Sequence, residues 1–520
     1  MKRSTMRKIT VAAAATALTG TLLAGCGNDN DNAGSSTGAA SGKPSTASAS
    51  PIASSDASPT TIKIMSQTVT DPIKDDNPMK LELEKMTNTK LEFTWVPATA
   101  YNDKFNATLA SGELPQVMLT NTARVTNVVN AVRAGAFWEI GPYLDRFPNL
   151  SELNKEMLNF TSYDGKIYLL PRSRDGARHL IAYRKDWANN LGIAEPKTLD
   201  DLANMAKAFT DNDPDKNGKN DTIGYAEPAS LDALSRDISV YLGGPMNNGM
   251  MNDQVVPNFL TPAFFEGMKW YRDLYAAKAI NQDFALLNGA QQADLFKKGK
   301  AGIIISVDSN VKNYPKDLQL VDPKSEIGVI QGLPGPNGLR ASSTGGSLGG
   351  YLFSKSSIKT EEELLRILGF FDKLSSPEAM TIAYRGMKDV DYKMEDGFVV
   401  PNEMQSEDAK AGIAAFSELA VAHVKVGAPL KQNPFTEMIV SMVAANEKIA
   451  VYDVAGPLIS NTKNEKGPEL DKLKTDAIVK FVMGQLDEAG YQKAIEDWKK
   501  AGGDQVIVEL TEEYKKAQGK

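Results

Sequence analysis

Ile62 and Ile64 alternate with polar neighbours, the two-residue period of a half-buried strand. Pro78–Met86 predicts a helix with proline in its first turn. Leu91, Phe93 and Trp95 alternate again and predict a second strand. Asn102–Ser111 reads as a helix stopped by Gly112, Leu114–Leu119 as a buried strand, and Arg124–Ala134 as a helix before Gly135. Strand, helix, strand, helix, strand is the order of a parallel α/β layer. Lys166–Leu170, Leu180–Tyr183 and the apolar Ala301–Ile305 predict further strands. Helical periods then dominate, at Leu199–Phe209, Pro262–Ala276, Glu361–Leu374, Glu407–Val421, Leu470–Gly484, Glu488–Ala501 and Val506–Lys516.

The first sixty residues follow a different pattern. Lys2, Arg3, Arg7 and Lys8 precede an apolar run from Ile9 to Ala24. A basic start, a short apolar core and small residues make a secretory signal over 1–25. The run is too short for a comfortable span of about 20 residues. Leu23-Ala24-Gly25-Cys26 resembles the lipobox of bacterial lipoproteins. That resemblance implies cleavage before Cys26 and lipid on its thiol and new amino terminus. An ordinary signal peptide is the alternative, and it would leave the chain's only cysteine as a free thiol. Residues 27 to about 59 are nearly all Gly, Ser, Ala, Asn, Asp, Thr and Pro. Such a segment buries too little apolar area to fold. Residues 26–60 therefore read as lipidated cysteine and tether, with a reach of roughly 30 Å.

The formal charge of −7 becomes −11 once the four basic residues before Cys26 are removed. An acidic surface argues against nucleic acid, which needs concentrated Lys and Arg. It argues equally against adsorption to anionic lipid, leaving the lipid anchor to hold the protein at a membrane. A single cysteine excludes an intrachain disulfide. After the signal no apolar run reaches about 18 residues.

Asp213-Pro-Asp215-Lys-Asn217-Gly218-Lys219-Asn-Asp221 is the strongest local chemical motif. Side-chain oxygens fall at loop positions one, three, five and nine, glycine at six, and the Lys219 carbonyl at seven. This is the calcium-loop spacing, in which hard oxygens wrap a hard cation. Position twelve holds Gly224 where a bidentate glutamate is expected, so another oxygen, from Thr222 or outside the loop, has to complete the shell. A polar turn without metal is the alternative. Enzyme signatures are weak. Gly345-Gly-Ser347-Leu-Gly349 fits a nucleophile elbow, but a strand pattern follows it where a helix is needed. His423, on an apparent helix face, is one of two histidines. Paired carboxylates, as a glycosidase requires, are found anywhere in a chain with 65 acidic residues. We expect no enzyme.

Six collinear segments resemble one family: Leu109-Ala-Ser-Gly-Glu-Leu-Pro-Gln-Val117, Gly135-Ala-Phe-Trp-Glu-Ile140, Asp164-Gly-Lys-Ile-Tyr168 with Tyr183-Arg-Lys-Asp-Trp187, Thr198-Leu-Asp-Asp-Leu202, Tyr384-Arg-Gly near Asp396-Gly397, and Gly484…Trp498…Gly502-Gly503. Together they resemble the extracellular solute-binding lipoproteins of ABC importers, in the large carbohydrate-binding branch of Gram-positive bacteria. Gln116 departs from the acidic residue usual after the proline. The resemblance implies an α/β, two-lobed periplasmic-binding-protein-like fold of type II, with interleaved lobes joined by hinge crossovers. It places lobe one at 61–177 plus 347–455 and lobe two at 178–346 plus 456–520. It also implies calcium in the 213–221 loop, permease partners, a monomer, and a place on the outer face of the cell membrane. The role expected is capture of a carbohydrate, with a glycan-acting enzyme or a receptor for a peptide or acidic metabolite as alternatives.

In a two-lobed binder the ligand lies between lobes, against strand ends and loops. The polar loops there nominate Gln67, Asn121, Arg124, Arg172, Arg174, Arg178, Asp308, Asn310 and Thr344 as ligand-binding residues. Their side chains donate and accept as sugar hydroxyls require. Tyr101, Trp270 and Tyr351 are candidates for stacking, whereas Trp138 and Trp187 read as core. Three arginines at 172, 174 and 178 suit carboxylates or phosphates. That raises an acidic sugar; a solvated basic patch paired with acidic neighbours is the alternative.

Overall fold

Two sheets, each with its own core, organise the folded chain. A computed structural model describes residues 58–121 and 125–518. The expected signal, Cys26, most of the tether and Arg124 lie outside the described residues.

The first sheet is built from β1 (Thr60–Thr68), β2 (Thr89–Pro97), β3 (Val117–Thr120), β4 (Leu169–Ser173) and a late strand. The second takes β5 (His179–Arg184), β6 (Ile223–Tyr225), β7 (Ala301–Val307) and β8 (Ile327–Ile330). The late strand, β9 (Ser347–Phe353), returns to the first sheet. Strand order is β2-β1-β3-β9-β4 in the first sheet and β8-β5-β7-β6 in the second. β1 runs parallel to β2 and β3, while β9 is antiparallel to β3 and β4. β5 is antiparallel to β7 and β8, and β6 is parallel to β7. The α/β expectation holds, with antiparallel strands completing both sheets.

Local sequence accounts for the helices between strands. Asn77 caps the helix Pro78–Thr87 by accepting from the amides of Met79 and Lys80. Thr198 and Asp201 form a capping box at the start of Leu199–Asp211. The helix Tyr101–Ser111 ends on Gly112 at φ 73°, a left-handed conformation that costs glycine little. Two expectations shift. The strand expected over Lys166–Leu170 lies at Leu169–Ser173. The helix expected from Leu470 begins at Asn461 and carries Pro468 within it.

The first core joins Ile62, Ile64, Leu119, Tyr351, Phe353 and Phe371. The second joins Ile181, Trp187, Phe209, Tyr271, Ile303, Phe481 and Trp498. Trp187 is fully buried, and Trp138 is half-buried with its Nε1 donating to the Ile358 carbonyl, so both pack as expected. Gly302 is required in β7, because a Cβ there would overlap the rings of Phe209 and Trp187. The chain crosses between sheets at about 174–178, 343–346 and 432–433. The third crossing corrects the expected boundary at 455. Helix Pro434–Glu447 packs Ile439 and Val443 against Leu180, Ala182 and Ile304 of the second sheet and Phe296 of the helix Gly289–Lys297. Nothing in its own sequence distinguishes the two sheets as partners.

Candidate functional site

A cavity of about 560 Å³ lies between the two cores at the crossovers. Phe160 from the first lobe faces Asp232, Ser235, Arg236 and Asn247 from the second. Ser343, Thr344 and Asp453 line its crossover side. A second cavity of about 720 Å³ shares Phe160 and Asp453. Gly345 and Gly456 seat the Phe160 ring, since a Cβ on either would overlap it.

The first lobe offers a polar wall built where its parallel strands end. Asn121 Nδ2 donates to Gln67 Oε1 at 2.9 Å, and Gln67 Nε2 donates to Glu418 Oε2 at 3.0 Å. Arg172 Nη1 reaches the same Glu418 oxygen at 2.9 Å. Three of the expected residues therefore meet, but in a chain closed by Glu418, which sequence reading missed. Its helix position, Glu407–Leu419, carries no motif.

The second lobe treats its residues similarly. Arg178 is paired with Asp308 Oδ1 at 2.6 Å, and Lys312 Nζ holds Asp308 Oδ2 at 2.6 Å. Despite the desolvation that opposes it, hydrogen bonds and charge from Lys312 and Arg178 hold the Asp308 carboxyl below its ordinary range. Asp308 is therefore an internal counter-ion before it is a ligand contact. Asn310 is exposed and donates to Ser306 Oγ at 3.1 Å. Thr344 lines the cavity but donates its hydroxyl to the Gly176 carbonyl at 3.3 Å.

Further contacts fix the crossovers. Glu447 Oε1 accepts from the amides of Gly176 and Ala177, each at 2.6 Å. Asp237 is fully buried, held by His179 Nδ1 at 2.7 Å and Ser342 Oγ at 2.6 Å. Asp175 is held by Lys425 and His423. Burial pushes the Asp453 carboxyl up, against the hydrogen bonds from Asn248 and the Ala455 amide.

The three aromatic candidates do not reach the cavity. Tyr101 is fully buried and donates to the Leu119 carbonyl at 2.7 Å. Tyr351 is fully buried and donates to the Glu418 carbonyl at 2.8 Å. Trp270 packs edge-on to Tyr225 and Tyr271 and donates to the Leu199 carbonyl. Each pairs its polar atom inside a core, as buried Tyr and Trp usually do. Phe160 takes the place of an aromatic wall, and only the glycines distant in sequence reveal it. Ser347 begins a strand and donates to the Gly349 carbonyl, which is no nucleophile geometry. His423 sits beyond the helix expected to carry it and caps the turn Val424–Val426.

The 213–221 loop gathers its oxygens around Asn217. Asp213 accepts from the amides of Asn217 and Gly218 at 3.1 and 3.0 Å. Asn217 Nδ2 donates to Asp215 at 2.9 Å and to Asp221 at 3.1 Å. Burial, together with the adjacent Asp213 and Asp221 carboxylates, raises the Asp215 carboxyl above its ordinary range. Asp221 also faces Lys300 at 3.5 Å. Among the described residues no three His, Cys, Asp or Glu side chains converge at metal-holding distance. The donor chemistry suits a hard cation, with an amide oxygen of Asn217 able to join the carboxylates.

Comparison with known proteins places these features. Residues 64–381 match the family model of bacterial extracellular solute-binding proteins. YtcQ of Bacillus subtilis (strain 168), a polygalacturonan/rhamnogalacturonan-binding protein, is 37% identical over 84% of this chain and 88% of its own. Lipoprotein LipO of the same strain is 34% identical over 87% and 92%. An extracellular solute-binding protein from Bifidobacterium longum subsp. infantis shares the fold, with a TM-score of 0.69 at 17% identity over 88% of this chain and 98% of its own.

Proposed function

The chain belongs to the bacterial extracellular solute-binding proteins, the substrate-binding components of ABC importers, and we propose that its cargo is a uronic-acid-containing oligosaccharide. The observation that carries this reading is the polar cavity between the lobes, whose wall includes Arg236, Ser235, Asn247 and Thr344. YtcQ, a polygalacturonan/rhamnogalacturonan-binding relative, supports the sugar class. The lobes close on the oligosaccharide about the crossovers, and permease subunits then accept it. No covalent step falls to this chain.

Lipid on Cys26 holds the mature chain on the outer face of the membrane, since its own acidic surface does not. Calcium in the 213–221 loop, held by Asp213, Asp215, Asn217, Asp221 and the Lys219 carbonyl, neutralises clustered carboxylates and plays a structural part.

A thermal-shift screen over neutral oligosaccharides, galacturonate oligomers and peptides tests the function. A ligand that binds only the folded state at 100 times its Kd stabilises by about 2.7 kcal/mol. Galacturonate oligomers are expected to raise the melting temperature. A shift with peptides alone, or hydrolysis of the oligomer during incubation, overturns the reading.

A further inference from the structure

Of the three crossover arginines, two already have carboxylates. Glu418 pairs Arg172 and Asp308 pairs Arg178. Among the described residues no carboxylate stands within ion-pair distance of Arg174, and its Nε is buried without a hydrogen-bond partner. A buried N–H left without a partner is costly, because burial removes its water and nothing replaces it.

The surroundings make that cost greater. Burial, then the positive charges of Arg178 and Arg172, with Arg236 further off, push the Arg174 guanidinium down to about 10; Asp308 opposes them. Arg172 belongs to the first sheet, whereas Arg178, Asp308 and Arg236 belong to the second lobe. Arg174 thus sits between the lobes, on the segment whose amide bonds Gly346 of the neighbouring crossover. Arg236 lines the cavity itself. Its own partner, Asp232, is 3.6 Å away and 58% exposed. Of the other acids lining the cavity, Asp471 is paired with Lys474 at 2.9 Å, and Asp453 is bonded to Asn248. Arg174 is thus the one crossover arginine without a carboxylate among the described residues, and an anion from outside can supply it.

We propose that Arg174, with Arg236 on the cavity wall, binds the carboxylate of a uronic-acid residue, so that this guanidinium gains a carboxylate only in the ligand-bound state. The proposal rests on the reading that an oligosaccharide enters the interlobe cavity. A guanidinium fork matches a carboxylate in two parallel hydrogen bonds, which a hydroxyl or methyl ester does not offer.

Calorimetric titration of the full chain with trigalacturonate and with its methyl ester tests it. The wild type is expected to bind the acid at least roughly tenfold more tightly than the ester. Arg174→Gln removes that preference by weakening the acid alone, and Arg174→Lys weakens it partway. Arg236→Gln gives a smaller loss of the same kind, and it decides the matter if Arg174→Gln does not fold. Equal losses for acid and ester, or an unchanged preference in all three variants, overturn the proposal. A wild type that binds neutral oligosaccharides but neither acid nor ester overturns this proposal alone. A wild type that binds no sugar overturns the carbohydrate reading and this proposal with it.

Discussion

Glu227 is a fully buried carboxyl just past β6. Tyr271 Oη donates to its Oε2 at 3.2 Å, and its Oε1 is buried with no hydrogen-bond partner among the described residues. Burial pushes it up to about 8, against the tyrosine hydrogen bonds. The folded state therefore holds a proton that the unfolded chain releases above about 4.5. This contribution to stability is complete below that pH and is lost as pH rises towards 8. The melting temperature of Glu227→Gln relative to wild type is expected to rise steadily between pH 5 and 8. A difference that stays constant with pH contradicts the burial argument. At this scale sequence reading located Gln67, Asn121 and Arg172 but not their shared partner Glu418. A residue's type is written in the chain, whereas what neutralises it comes from a strand or helix far away.

Among elements, the helix Asn461–Val482 shows what tertiary structure adds. Pro468 has no N–H, so the Asn464 carbonyl loses its partner within the helix. Thr126 Oγ1, from the helix Thr126–Arg133, supplies that hydrogen bond at 2.9 Å. Arg133 Nη1 reaches Asn461 Oδ1 at 3.1 Å beside it. These contacts join the first-lobe helix to the helix that closes the second core. Thr126→Val removes this hydrogen bond from a part-buried carbonyl, at a cost of about 0.5–1.5 kcal/mol. It is expected to loosen the lobes, seen as a larger ligand-free radius of gyration in solution scattering; an unchanged radius removes the latch role. By local chemistry alone Pro468 breaks a helix, yet the helix runs through it from Asn461. The 213–221 loop is the opposite case, since its spacing was readable at once. Adding calcium to metal-stripped protein is expected to raise the melting temperature by several degrees, and Asp215→Ala is expected to abolish the rise. No response in the wild type removes calcium from the loop.

For the whole molecule, the interlobe cavity predicts closure. Saturating trigalacturonate is expected to reduce the radius of gyration of the wild type, and added salt to weaken the binding, because exposed charge is screened within about 10 Å at 0.1 M. Contraction with neutral sugars only contradicts the charge argument. The alternation at Ile62–Ile64 and Leu91–Trp95 was enough to predict strands, and Thr198–Asp201 and Gly112 enough to end helices, because these signals act within a few residues. The family segments, spread from Leu109 to Gly503, carried the two-lobed fold. Only the tertiary structure decided that Pro434–Glu447 packs on the second sheet, that Tyr101 and Tyr351 spend their hydroxyls inside the first core, and that Arg174 alone among the crossover arginines lacks a carboxylate among the described residues. Each of those outcomes depends on which distant groups burial brings together, and local periodicity does not encode that choice.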